Sequence, residues 1–114
     1  MKHTCTPEEL TTIREAIHAA AAQHHAAEHA RGRSAVEEHP EDTNLTAGVA
    51  AWMIDIRRER IADDEAALAP RIEHGNGREW TFELMHRIEA AAAGVAYWEG
   101  VREAATNRTI RQEN

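Results

Sequence analysis

Large apolar side chains are scarce in this chain. Leu, Ile, Val and Phe supply only 17 of its 114 residues, and the aromatic set is three Trp, one Tyr and one Phe. β-Branched runs and hairpin turns are nearly absent, which excludes a barrel, a sandwich or a doubly wound sheet. Cysteine is reduced to Cys5, so no internal disulfide can form and no oxidising compartment is required. The longest strongly apolar run, Ala47 to Ile54, spans eight residues, far short of a membrane crossing. Residues Met1 to Pro7 carry no apolar signal core. The expectation is a cytoplasmic protein with no membrane partner. A Gly-rich phosphate loop and a Gly-x-Ser-x-Gly elbow are both missing, and Cys5 stands alone in the N-terminal tail. A non-enzyme is expected.

Alanine fills much of what is left, with 23 copies, and the formal charge is −7. Few aliphatics with a high net charge approach the composition of disordered chains. Order is argued by arrangement, because the large apolar residues recur at helical spacing. The length suits one domain and not two. The expected class is all-α, a three-helix bundle of long helices assembled as a homodimer.

Thr6-Pro7-Glu8-Glu9 opens the first helix, with Thr6 as cap, Pro7 at the first helical position and Glu9 completing a capping box. This helix is expected over about 7–30, closing at Arg31-Gly32, where glycine accepts the left-handed conformation of a helix end. Residues 33–43 read as an acidic loop. The second helix is expected over about 45–68, stopped by Pro70. Gly75-Asn76-Gly77 reads as a turn, with Asn76 and Glu79 as a second capping box. The third helix is expected over about 77–105, followed by a polar tail, 106–114.

At 100° per residue, Leu10, Ile13, Ile17, Ala20 and His24 share one stripe of the first helix. Trp80, Leu84, Ile88, Ala91, Val95 and Trp98 share one stripe of the third. In the second helix Ile54, Ile61, Leu68 and Ile72 form a seam, yet Val49, Trp52 and Ile56 lie opposite it. Phe82 and Tyr97 fall on the outer side of the third helix. A helix of an isolated bundle buries one stripe, so this second apolar face calls for the 33–44 segment, another subunit or a target protein. A two-fold homo-oligomer is the simplest solution for so thin a core.

Histidine is the most suggestive residue type, with eight copies. His25 and His29 stand four apart, the spacing that brings two imidazoles to one zinc or nickel ion. Two ligands are an incomplete site, however, and one such pair is expected by chance. Glu15-Ala16-Ile17-His18 and Glu83-Leu84-Met85-His86 spell the Glu-x-x-His unit of di-iron bundles, but the inward glutamates such a centre needs are missing. A free amino terminus with His3 offers a square-planar nitrogen set for copper or nickel. Tyr97-Trp98-Glu99-Gly100 holds a Trp-x-Gly that would mark a turn between two helices, yet it falls inside the last helix. Protonating all eight histidines would move the formal charge from −7 to +1. With His24 on the buried seam, the assembly is expected to loosen below about pH 6.

Charge is distributed unevenly. Residues 1–33 sum to zero, 34–75 to −6 and 76–114 to −1. The acid concentrates in Glu37, Glu38, Glu41 and Asp42 and again in Asp63, Asp64 and Glu65. Such a surface disfavours direct nucleic-acid binding and favours a protein partner with a basic surface. The expected function is a small acidic, non-catalytic interaction module of inhibitor or adaptor type, the size of many phage or mobile-element products. Its contacts are expected through the two acidic clusters with Trp52 and Ile56, and no cofactor is expected. Two alternatives stand beside it. One is a metal-binding helical protein using His25 and His29 with zinc or nickel. The other is a helical sponge for a small anionic ligand such as a nucleotide, held by arginines including Arg57, Arg58 and Arg60.

Overall fold

A computed structural model describes residues 5–113. Three helices follow one another, α1 over Pro7–Glu38, α2 over Ala47–Glu73 and α3 over Glu79–Glu113. Ion pairs between α1 and α3 advance together along both chains, from His18–Glu89 to His29–Glu103, so these helices are parallel. Those between α2 and α3 run in opposite senses, from Arg58–Glu99 to Arg87–Asp64. The result is an up-down-up bundle measuring 64 × 23 × 19 Å. α3 is its spine and packs along both neighbours, whereas α1 and α2 scarcely touch. The all-α class is as expected, and among the described residues there is no strand.

The start of α1 follows the expected chemistry. Glu9 N–H donates to Thr6 Oγ1 at 3.1 Å and Thr6 N–H donates to Glu9 Oε1 at 3.2 Å, a reciprocal capping box. Thr46 caps α2 in the simpler way, accepting from Val49 N–H at 3.2 Å.

All three helices run longer than the sequence expectation, for identifiable reasons. α1 does not stop at Gly32 but continues to Glu38, so the first part of the expected 33–43 loop is helical. Gly32 is buried against α3, where an added Cβ would collide with the Tyr97 carbonyl. Gly100 does the same in return, its Cβ position falling on the His29 carbonyl. These glycines serve helix contact rather than helix ending. α2 passes through Pro70 and ends at Glu73. A proline costs a helix interior about 3 kcal/mol, but the added turn carries Ile72 onto the core. The helix then closes on Gly75, whose φ of 65° is the left-handed conformation. Gly75 N–H donates to the Ile72 carbonyl and Asn76 N–H to the Arg71 carbonyl, the paired bonds of a Schellman ending. Asn76 does not cap with Glu79; its Oδ1 accepts from Arg78 N–H at 3.1 Å. α3 continues through the expected 106–113 tail, which Arg108 ties to the α1–α2 loop by donating to the Pro40 carbonyl at 2.9 Å.

Two core clusters occupy opposite ends. Where α1 begins, α2 ends and α3 begins, Leu10, Leu68, Leu84, Met85 and Ile88 interlock, with Phe82 and Ile61 packed against them. At the other end the set is Val36, Leu45, Ala50, Val101, Ala104 and Ala105, with Tyr97 and Trp98 alongside. Phe82 and Tyr97 are therefore partly buried, not outward as expected. His24, placed on the seam from periodicity, is exposed.

Candidate functional site

The expected acidic surface divides into two parts with different fates. Glu37 and Glu38 lie on the last turn of α1, and Glu41 and Asp42 follow in the connection to α2; all four are exposed. The connection is held in shape. Asp42 Oδ1 accepts from Asn44 N–H at 2.9 Å, Leu45 is buried beneath it, and Arg108 anchors Pro40. This end of the molecule presents four carboxylates on an ordered frame.

The second cluster is mostly internal. Asp64 is only 7% exposed and faces Arg87 of α3 at 3.3 Å. Its other oxygen, Oδ2, has no hydrogen-bond partner among the described residues. Glu65 pairs with Arg14 of α1, one of the few ties between α1 and α2. Of the three, Asp63 alone faces solvent. Asp64 and Glu65 both tie helices to one another, Asp64 buried and Glu65 half-buried. From sequence they were indistinguishable from Asp63, because the register against α3 and α1 decides which carboxylate turns inward.

The outer face of α2 carries the apolar residues that the periodicity left without a partner. Trp52 is 63% exposed and Ile56, one turn on, is 40% exposed. The segment 33–44 does not cover Trp52. Asp55, Glu59 and Asp63 stand at four-residue intervals beside this pair and are all exposed. Together these five residues span about 100° of the helix surface. Among the described residues, none of the three carboxylates forms a salt bridge, although Arg58 on the same helix pairs with Glu99 of α3 at 2.9 Å. Like charges four apart oppose the helix by about 0.2–0.5 kcal/mol per pair. Asp55 and Glu59 were not singled out from sequence. Their spacing was the available signal, masked by the neighbouring arginines.

His25 and His29 do not converge. His25 Nε2 lies 3.1 Å from the Glu89 backbone carbonyl and 3.6 Å from its carboxylate. His29 Nε2 faces Glu103 at 3.1 Å, with Arg33 on the same carboxylate at 3.4 Å. His18 joins Glu89 through Nδ1 at 2.8 Å. Among the described residues no group of three or more His, Cys, Asp or Glu is arranged to hold a metal ion. The nitrogen set of Met1 to His3 lies outside the described residues. The imidazoles of α1 thus face carboxylates of α3. His24, on whose burial the expected acid loosening rested, is exposed.

Glu28 on α1 has a carboxyl held below its ordinary range. Hydrogen bonding by Arg31 is the main cause, at 2.7 Å from Nη2, and the Arg31 charge adds to it against some desolvation. Arg31 is held protonated by the same contact and lies 4.7 Å from the centre of the Tyr97 ring.

Searches of protein-family models, curated proteins and solved structures find no match for this chain. No helix among the described residues is long and apolar enough to cross a membrane.

Proposed function

We propose that this protein is a non-catalytic interaction module that docks a partner with a basic surface on the outer face of α2. The observation that carries the reading is the exposed pair Trp52 and Ile56, one turn apart, bordered by the unpaired stripe Asp55, Glu59 and Asp63. Exposed Trp with a flanking aliphatic is the composition of an interface centre, and surrounding charge supplies steering and register. A basic partner relieves the like-charge repulsion along α2 as it covers the apolar pair. Glu37, Glu38, Glu41 and Asp42 extend the negative field toward the end of the molecule where α2 begins, and they act on the rate of encounter.

The test is photo-crosslinking in the native host, with a photoreactive residue at position 52 and, as a control, at exposed position 22 of α1. A partner with a basic surface, captured from position 52 alone and lost on charge reversal of Asp55, Glu59 and Asp63, supports the reading. Capture of only a second copy of this chain overturns it and makes the face a homo-oligomer interface, the assembly expected from the thin core.

A further inference from the structure

The other flank of α2 has the opposite charge. Ile56, Arg57 and Arg60 of α2 and Arg87, Ala90 and Ala91 of α3 line a groove of about 430 Å³. No carboxylate is among these lining residues, in a protein of formal charge −7. The volume lies in the range of small-molecule sites. By contrast, the groove bounded by Arg14, His18 and Ile88 also contains Glu15, Glu65 and Glu89, so its cations are already matched.

The three guanidiniums keep donors to spare. Arg60 has no salt-bridge partner among the described residues. Arg57 donates to the Met53 carbonyl at 3.2 Å and through the same nitrogen to the Met53 sulfur, leaving its other nitrogens uncommitted. Arg87 meets Asp64 through a single nitrogen. Two of them are also positioned by aromatic rings, Arg87 at 5.6 Å from the centre of Trp80 and Arg57 at 6.0 Å from that of Trp98. Such stacking orients a planar fork before any ligand arrives. Ala90 and Ala91 complete the lining with small side chains.

We infer that this groove is a binding site for a diphosphate group. A single carboxylate is satisfied by one bidentate guanidinium, whereas three guanidiniums around one cavity call for several anionic oxygens on one ligand. A diphosphate supplies them, either as free pyrophosphate or as part of a nucleoside diphosphate, whose base has the exposed Trp80 ring beside Arg87 to stack on.

Isothermal titration at low salt with pyrophosphate, ADP and adenosine tests this on the full chain. One equivalent of pyrophosphate or ADP is expected to bind, and adenosine is not. Arg60→Gln is expected to weaken binding roughly tenfold, the loss of one charge-assisted contact. Arg60 is exposed and lacks a salt-bridge partner among the described residues, so this variant keeps its fold, and unchanged helicity by circular dichroism verifies that. Arg58→Gln, whose side chain is engaged with Glu99, leaves binding unchanged. Asp64→Asn removes the carboxylate behind Arg87 and tightens it. ADP binding more tightly than pyrophosphate assigns the nucleotide; equal affinity assigns the diphosphate alone. Failure of both to bind, or binding indifferent to Arg60→Gln, overturns the proposal.

Discussion

The two ends of the bundle solve the same packing problem by different means. At the end holding Leu10, Leu68, Leu84, Met85 and Ile88, large side chains interlock. At the end holding Val36, Leu45, Ala50, Val101, Ala104 and Ala105, most of the buried side chains are small, and Tyr97 and Trp98 pack alongside them. There Gly32 and Gly100 let the backbones of α1 and α3 meet. One end draws on buried apolar area, about 1.5–3 kcal/mol for each large aliphatic side chain. The other draws on close approach, where many weak dispersion contacts between backbones replace a few large side chains. A chain with only 17 Leu, Ile, Val and Phe residues cannot fill two ends in the first way.

Each end is sensitive to a different substitution. Leu84→Ala empties the large-residue cluster and is expected to cost about 2–5 kcal/mol, read as a lowered midpoint in urea. At the other end, Gly100→Ala or Gly32→Ala forces a methyl against a carbonyl that cannot yield. Overpacking of this kind costs up to about 3 kcal/mol or more, and alanine's better helix propensity returns about 1 kcal/mol. The net loss is about 2 kcal/mol, and a gain in stability instead would disprove the close helix contact.

Smaller effects sharpen the contrast. The Thr81 hydroxyl is fully buried at the large-residue end, without a hydrogen-bond partner among the described residues. Thr81→Val is therefore expected to raise stability by about 1 kcal/mol in the same denaturation assay. Gly48, unlike Gly32, has open space around its Cβ position. Gly48→Ala is expected to stabilise by about 0.5 kcal/mol, so identical substitutions at 48 and 100 should have opposite signs. Trp52→Ala changes stability by no more than about 0.5 kcal/mol, as befits an exposed side chain, while the partner is lost from co-precipitation with the protein.

The pH response follows from the Glu28–Arg31 contact. A carboxyl held below its ordinary range contributes stability that is complete above that range and is lost as pH falls through the lowered value. Thermal scans at moderate and high salt should show this contribution shrinking with screening, since the contact is largely at the surface.

Much of the fold was legible because helices write themselves locally. Thr6, Pro7 and Glu9 specify a helix start through bonds within one turn, and the seam Ile54, Ile61, Leu68 and Ile72 follows from the 3.6-residue repeat. Helix ends were less legible. Gly32 and Gly75 are the same residue in sequence terms, yet one is a contact and the other a left-handed ending. Pro70 was a sound local stop that burial of Ile72 overrode. For the candidate surface, Trp52 and Ile56 stood out because their face opposes the seam, whereas Asp63, Asp64 and Glu65 read as one cluster.

By itself, then, the sequence determined three helices, their order and an apolar face of α2 opposite its seam. It could do so because capping and periodicity depend on residues within a turn or two. Only the tertiary structure decided that α3 is the spine, that Asp64 turns inward to Arg87 while Asp63 does not, and that Arg57, Arg60 and Arg87 share one groove. Those outcomes depend on how two helices are rotated and shifted against each other. That choice is set by interhelical contacts such as Gly32 on the Tyr97 carbonyl and Gly100 on the His29 carbonyl, which no local pattern encodes.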